Sequence, residues 1–403
     1  MPKTRRWLRE LEVRFRRVAH TLPPSSRRTY EEILGWGKTG LAVLSRPALH
    51  FYTFPSVGGC RIGYLGPGTS LRFLVHLLQR LETLPQSRDS FPWWRVRSAL
   101  PHLQEQCDLF ILEMPYRLLE ALGFSQSPSS GILTTPWMRW YIPLEHPWDV
   151  IEAGFHRSAR DDLRWAKGLT CTPSRQPEDL AFFYHTFYRP YLLERFGSLA
   201  EASSFEELRY FFRYGWLVWA RDGEGNLLGA LLCFAVGRAF YAYVLALKPG
   251  LPRRITKATM AAWFAYLIRW AWQQGFAVLD LGFTRPLLND GVVRYKRKWG
   301  ARIAFDPLQT WGWWITTPHG ADGLRSLFAR TPWIWRGERG RLYGLLLDPE
   351  LPSKGLERLP RLGRAWWVPG LSGLLIYPGQ MDALPPSAYN PLSPLGKAIL
   401  WHP

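Results

Sequence analysis

The chain predicts an α+β protein of two tandem units, each a mostly antiparallel mixed sheet flanked by helices. Three observations carry this expectation. The same order of elements, a strand meander, a Gly/Pro loop, a helix and a strand, occurs twice, with little sequence shared between the copies. The length of 403 residues exceeds one ordinary core and suffices for two or three. A composition 47% apolar and 15% aromatic excludes global disorder.

In the first copy, residues 3–20 read as a basic amphipathic helix, with Trp7, Leu8, Leu11, Phe15 and Val18 at helical spacing among arginines. TLPPSS (21–26) breaks it. Three short apolar runs follow, 41–45, 48–54 and 61–65, as the meander. The turn Gly66-Pro67-Gly68 leads to Thr69 as N-cap of a helix over 70–84, with Leu71, Leu74, Leu77, Leu78 and Leu81 on one face. Residues 85–101 carry a weak pattern. A strand over 108–113 and a short helix ending near Gly123 complete the copy.

In the second copy, 216–220 is a strand and DGEGN (222–226) a turn. Residues 227–247 carry one charge and are long enough to cross a bilayer. Yet Gly237-Arg238 divides them into two runs rich in Val, Phe, Tyr and Leu, which predicts a buried hairpin. An arginine at mid-bilayer would be costly. The loop 248–255 enters a helix at Thr256 that runs to about Gln274, with Gly275 past its end, and a strand over 277–281 follows. Between the copies, residues 155–168 predict a helix with Arg157, Arg160, Arg164 and Lys167 on one face and Phe155, Ala159, Leu163 and Ala166 opposite. The tail beyond about 320 is rich in Pro, Gly and Trp, with one helix expected at 321–330 and no core pattern. The layout expected is therefore a basic helix (1–20), an N-terminal unit (21–150), a C-terminal unit (151–318) and an extension (319–403).

The net charge of +19 calls for an anionic partner: nucleic acid, lipid headgroups, a phosphorylated cofactor or a polyanionic glycan. Cysteines at 60, 107, 171 and 233 form no CxxC pair and no His/Cys cluster, so no metal site or disulfide framework is indicated and a reducing cytoplasm is the default. The basic N-terminus has no apolar segment of a secretory signal. No HExxH, GxSxG, GxGxxG or Walker motif occurs.

Three places can carry chemistry. The helix entered at Thr256 has unpaired N–H groups and partial positive charge at its start, and Arg253, Arg254 and Lys257 make that end a phosphate site or an ordinary basic loop. The stripe of 157–167 is wholly cationic, with Asp161 and Asp162 off it, and four like charges on one face repel one another unless an anion covers them. The stretch VLDLGFTRPLLNDGVVRYKRKWGA (278–301) ends a strand on Asp280, which either orients or deprotonates an amine or forms a cap or salt bridge. In a helix, Lys296 faces inward with Val293 and Gly300, and Lys298 outward. An inward lysine can neutralise a phosphate, a carboxylate or a developing oxyanion. Tyr184, Tyr188, Tyr191, Arg189 and Arg195 share a segment over 180–196 that reads as a half-buried aromatic helix or a groove lining.

The stretch from Asp280-Leu-Gly-Phe through Asn289-Asp290-Gly291 to Arg294-Tyr-Lys296-Arg-Lys-Trp299-Gly300-Ala301 resembles the "D-x-G-R-S…G…x-F-K-x-x-W-G-A" signature of FemAB-like and BioF2-like acyltransferases, within the GCN5-related N-acyltransferase (GNAT) superfamily. Residues 156–168 are similar to the "S-x-R-x-x-I-R-R-A-x-K-x-G" segment of that group. The resemblance covers about 150–305 by sequence and the N-terminal half by architecture only. It implies two GNAT-like units, with acyl or aminoacyl transfer to an amine in the second. Lys296 and Asp280 then match the family's lysine and strand-end acid. Arg253, Arg254, Thr256 and Lys257 would hold the donor, and Arg160, Arg164, Tyr243, Asn289 and Arg294 the substrates. Phe283-Thr284-Arg285 stands where the family has Arg-Ser, which blurs that contact.

The donor implied is an acyl thioester, acyl-CoA or an acyl carrier protein, as a co-substrate and not a tightly bound cofactor. The helical hairpin of the tRNA-dependent ligases has no counterpart, which ranks aminoacyl-tRNA lower. Many members with this motif accompany exopolysaccharide or cell-envelope genes, so the expected setting is the cytoplasm, with peripheral contact at the inner face of the membrane. The competing expectation is a non-catalytic protein with a degenerate acyltransferase fold. The N-terminal helix and the Trp/Arg-rich tail would hold it on anionic membrane or polysaccharide.

Overall fold

The computed structural model describes residues 24–57, 60–68, 89–124, 131–197, 202–306, 309–318, 331–337, 340–348, 356–378 and 399–401, with single positions at 18, 22, 70, 71, 73 and 74. The expected helix at 3–20, the N-cap Thr69, most of the helix at 70–84 and the helix at 321–330 lie outside these residues. The protein is α+β, with mixed sheets flanked by helices in two compact units. Among the described residues no helix is long and apolar enough to cross a membrane.

Neither unit is continuous in sequence. One gathers the chain up to Arg28, Arg139–Phe283 and Arg294–Arg302, and the other gathers Thr29–Met138, Thr284–Val293 and the chain from Ile303. The sequence layout, with cuts after 150 and 318, treats each unit as one stretch and so differs from this division.

In the first of these units the strands Met138–Pro143, Val278–Thr284, Ala239–Leu247, Leu227–Val236, Gly215–Arg221 and Thr170–Ser174 lie side by side in that order. The segment 227–247 is the hairpin its pattern predicts. Ala239 lies opposite Val236 and Leu247 opposite Gly229, and Gly237 takes the left-handed φ of +57° that the turn requires. Both hairpin strands are largely buried because helices cover both faces of the sheet. Arg253–Gln273 packs on one face through Ala258, Ala261, Trp263, Phe264, Leu267 and Ile268. On the other, Leu180, Phe183, Phe187, Leu208 and Phe211 join Leu217, Trp219, Leu232 and Phe234 in one core. The segment 180–196 is thus a half-buried aromatic helix, with a π-helical turn at Phe183–Tyr188.

In the other unit six strands run in the order Asp89–Pro92, Ala48–Val57, Cys60–Gly66, Leu109–Pro115, Trp311–Thr316 and Ile132–Thr134. The two strands expected at 48–54 and 61–65 are present. The run at 41–45 is instead the last part of a helix, Pro24–Ser45, that begins inside the expected break. Proline suits a first helical turn, and buried Gly35, Thr39 and Ala42, at i, i+4 and i+7, give the helix its packing face. The weak region holds Asp89–Pro92 and the helix Val96–Glu105.

Trp311–Thr316, assigned from sequence to the C-terminal unit, pairs antiparallel with Leu109–Pro115 in this sheet. The tail also builds a core. Trp333–Arg336, Leu342–Asp348, Gly373–Pro378 and Ile399–Trp401 form a four-stranded sheet whose Trp333, Leu345 and Leu375 pack with Trp313 and Ile315. Its short strands sit far apart in sequence, so no periodic run announces them.

Candidate functional site

The site develops where two parallel strands stop pairing. Ala239, Phe240 and Tyr241 lie opposite Val278, Leu279 and Asp280, and the two strands then continue, to Leu247 and to Thr284. A register shift between Ala242 and Val244 turns the first strand at this level. In the second, Gly282 takes φ +71°, so the chain bends where a side chain would be strained. The carboxyl ends of parallel strands are where open α/β sheets place ligands.

Asp280 is 3% exposed at this point. Its Oδ2 accepts from Arg139 Nε at 2.5 Å and its Oδ1 from the Gly282 N–H at 2.6 Å. Arg139 comes from the neighbouring strand Met138–Pro143, and its guanidinium lies 5.9 Å from the centre of the Tyr241 ring. Of the two readings the sequence left open, the structure forms the salt bridge. The pair is almost wholly buried, so each member depends on the other.

Lys296 lies in the helix Gly291–Arg297, which Asp290 caps by accepting from the Val292 N–H at 2.6 Å. Helical spacing turns Val293 and Lys296 inward, to 1% and 6% exposure. The Lys296 ammonium donates to the Phe283 carbonyl at 3.1 Å. Lys296 and Asp280 therefore meet the same strand, three residues apart.

The residues after Lys296 explain the rest of the motif as packing. Trp299 is fully buried, edge-on to Phe155 at 5.4 Å and 5.6 Å from Phe264. Gly300 takes φ +74°, and a Cβ on it would stand 3.3 Å from the Gly154 carbonyl oxygen, so two backbones touch there. His156 N–H donates to the Lys298 carbonyl at 2.8 Å. Lys298, expected to point outward, is instead largely buried. It pairs with Asp162 and lies 4.1 Å over Tyr295. The reason is Asp162, which sits one turn from buried Ala159 on the packed face of Arg157–Trp165 and requires a cation. The sequence pattern puts Asp162 off the cationic stripe but not opposite Lys298, and it does not reach Arg139, which comes from a strand far away in sequence.

The anion-binding candidates lie on neighbouring helices. The helix Arg253–Gln273 starts at Arg253, three residues before the expected entry, so Arg253, Arg254, Thr256 and Lys257 all fall in its first turn or just after. Pro252 stands at the cap and makes no side-chain cap, leaving the first N–H groups to other partners. Thr256 N–H bonds to the Pro252 carbonyl, so Thr256 is part of the helix. Arg253 and Arg254 are exposed. Arg254 and Lys257 lie 5.6 Å and 5.8 Å from the ring of half-exposed Trp165, the last residue of the helix Arg157–Trp165 packed alongside. Arg157, Arg160 and Arg164 are exposed on this helix, whereas Lys167, expected on the same helical face, is exposed beyond its end; Arg164 lies 3.2 Å from Asp161 and Arg160 reaches the Glu152 carbonyl.

The remaining candidates are dispersed. Tyr243 donates its hydroxyl to Glu207 and packs on Phe211 and Phe234 within the core. Arg294 is exposed beside Arg297, whose guanidinium is shifted downward by burial and then by the Arg294 charge. Asn289, in the loop before the helix Gly291–Arg297, belongs to the other compact unit.

No family model and no curated protein matches the chain. Solved structures similar to it include FemX, at TM-score 0.37 and 14% identity over 69% of this chain and 90% of that one. Another is the C-terminal domain of a putative lysylphosphatidylglycerol synthetase from Agrobacterium fabrum, at TM-score 0.36 and 12% identity over 73% and 95%. A third is a tandem GNAT protein from the clavulanic acid biosynthesis pathway, at TM-score 0.30 and 11% identity over 71% and 89%.

Proposed function

We propose that the protein transfers an acyl or aminoacyl group from an activated, anionic donor to an amine, at the carboxyl end of the strand Val278–Thr284. The observation that carries this is the convergence of a buried ammonium and a buried carboxylate on one strand end: Lys296 on the Phe283 carbonyl and Asp280 three residues before it. The donor's anionic part sits at the start of the helix Arg253–Gln273, where Arg253, Arg254 and Lys257 add charge to the helix terminus. The indole of Trp165 offers a face for a planar ring.

In this reaction the neutral amine attacks the acyl carbonyl, a new C–N bond forms, and the carbonyl oxygen becomes an oxyanion. Lys296 stabilises that charge. Collapse breaks the bond to the leaving group, a thiolate for a thioester donor, and the proton lost by the amine passes to the leaving group or to water. Both Asp280 oxygens already accept one hydrogen bond, but each keeps a second lone pair. Asp280, fixed by Arg139, therefore orients the incoming amine, and no covalent enzyme intermediate is required. The setting that suits this reading is the cytoplasm, in cell-envelope or exopolysaccharide metabolism.

A melting-temperature panel with coenzyme A, acyl-coenzyme A, acyl carrier protein and charged tRNA identifies the donor, since a ligand of the native state raises the melting temperature. With the donor in hand, Lys296→Met should lose roughly 100-fold or more in turnover while still being stabilised by the donor. Unchanged turnover in Lys296→Met rejects the role given to Lys296. The exposed stripe Arg157, Arg160, Arg164 and Lys167 favours a second reading, a non-catalytic binder of anionic membrane or polysaccharide. That reading gains if no donor shifts the melting temperature and binding to anionic vesicles or glycans weakens with salt.

A further inference from the structure

The lysine that faces the strand Val278–Thr284 is followed, two residues on, by a second buried lysine aimed the other way. Lys298 N–H bonds to the Arg294 carbonyl at 3.3 Å and Trp299 N–H to the Lys296 carbonyl at 3.1 Å, so the helical turn continues past Arg297. At 100° per residue, side chains two positions apart point about 200° away from each other. On one side Lys296 reaches the Phe283 carbonyl. On the other Lys298 pairs with Asp162, and both side chains of that pair are largely buried. The Lys298 ammonium also lies over the Tyr295 ring. What fixes Lys298 therefore aims Lys296.

The helix Gly291–Arg297 has about two turns, too few to hold a direction by itself. Its end is tied to the segment Phe155–Trp165 in three ways. Trp299 packs edge-on against Phe155, the His156 N–H donates to the Lys298 carbonyl, and Asp162 takes the Lys298 ammonium. Of the three, the ion pair is the one that grips the side chain opposite Lys296. Stability by itself does not call for charge here, because apolar side chains of similar volume are often as stable as a buried ion pair. What the pair adds is direction, since one oxygen must meet one ammonium. The helix Arg157–Trp165 that supplies Asp162 also packs along the helix Arg253–Gln273, and its last residue, Trp165, lies beside Arg254 and Lys257. All these residues belong to one compact unit, so the pair sets Lys296 in the frame of the proposed donor site.

We propose that Asp162, acting through Lys298, is a positioning residue for the transfer: it turns the helix Gly291–Arg297 so that the Lys296 ammonium stands where the oxyanion forms. This rests on the transfer reading above. It gives the pair a part in the rate of the step and none in donor affinity.

The test uses the full chain with acyl-coenzyme A, acylated carrier protein and charged tRNA as donors and a mixture of primary amines, the acylated amine being read by mass spectrometry. The double variant Asp162→Leu with Lys298→Met exchanges the pair for apolar side chains. It should melt close to wild type, keep the donor's KM and melting shift, and lose roughly 10- to 100-fold in turnover. Lys298→Arg, which keeps the ion pair, should retain most of the turnover. Should the double variant not fold, Asp162→Asn takes its place with the same expectation. Full turnover in the variant without the pair, while Lys296→Met is inactive, overturns this inference and leaves the transfer reading standing. A turnover loss that comes with loss of the donor's melting shift would mean a general disturbance of the unit and also overturn it. A wild type inactive with every donor, or Lys296→Met as active as wild type, overturns the transfer reading and this inference together.

Discussion

Each compact unit contains a pair of parallel strands with a buried acid where the pairing ends, and the two acids are satisfied in different ways. In one unit Ile62, Gly63, Tyr64 and Leu65 lie opposite Leu109, Phe110, Ile111 and Leu112, and Glu113 follows at once, 1% exposed. It accepts from the Tyr64 hydroxyl at 2.5 Å and from Ser70 Oγ at 3.0 Å. In the other, Asp280 closes the ladder and accepts from a guanidinium and a backbone N–H. The adjoining loops differ likewise. Gly66-Pro67-Gly68 carries no charge, whereas 248–257 carries Lys248, Arg253, Arg254 and Lys257. Equivalent positions in two sheets thus hold a hydroxyl-bonded acid beside a neutral loop and an ion-paired acid beside a cationic helix start. The anionic donor proposed above is assigned to the second for that reason.

Removing a partner from each acid gives the largest test of this contrast. Arg139→Met leaves Asp280 buried without its cation and should cost about 3–5 kcal/mol in urea unfolding. Asp280→Asn should cost a similar amount, and the double change less than the sum because the two groups share one interaction. A loss below about 1 kcal/mol in both single variants would mean that water reaches the pair. Glu113→Gln should cost about 1–3 kcal/mol, since it weakens the hydrogen bonds from the Tyr64 and Ser70 hydroxyls.

A smaller effect separates the two acids by pH. Burial, then the Glu113 charge and hydrogen bond, hold the Tyr64 phenol well above its ordinary range. The unfolded chain releases that proton near about pH 10, while the native state keeps it. Above that pH the native state binds more protons than the unfolded one, so stability is full below about pH 10 and falls as pH rises, by up to ~1.4 kcal/mol per unit. Urea titrations of wild type and Tyr64→Phe at about pH 9 and about pH 11 should show the wild type losing more. Equal losses would place the Tyr64 phenol in contact with water.

The smallest effect on stability concerns the helix start. Arg254→Ala and Lys257→Ala should change unfolding by no more than about 0.5 kcal/mol, since both lie at the surface. In the thermal panel the same variants should lower the shift produced by the anionic donor and flatten its salt dependence. If they bind the donor like wild type, the cations there are only a solvated end.

Much of the C-terminal unit was legible because its signals are local. The hairpin over 227–247 announces itself by two β-rich runs around Gly237, and the helix after Pro252 by an unbroken apolar stretch. The inward turn of Lys296 follows from its spacing to Val293. Lys298 was misread because Asp162, which buries it, comes from another helix. The strand assignment at 41–45 failed for a similar reason: a short apolar run fits either structure, and the packing of Gly35, Thr39 and Ala42 decides for helix.

By itself the sequence determined the alternation of strands and helices, the two copies of one element order, and the meeting of a lysine and an acid within one short stretch. Those follow from side-chain periodicity and turn chemistry, which act over a few residues. Tertiary structure alone decided that Trp311–Thr316 completes the N-terminal sheet and that the tail builds a sheet of its own. It also decided that Arg139 holds Asp280. Each of these joins groups far apart along the chain, where backbone hydrogen bonding and the need to satisfy a buried charge select the partner, and neither leaves a local trace.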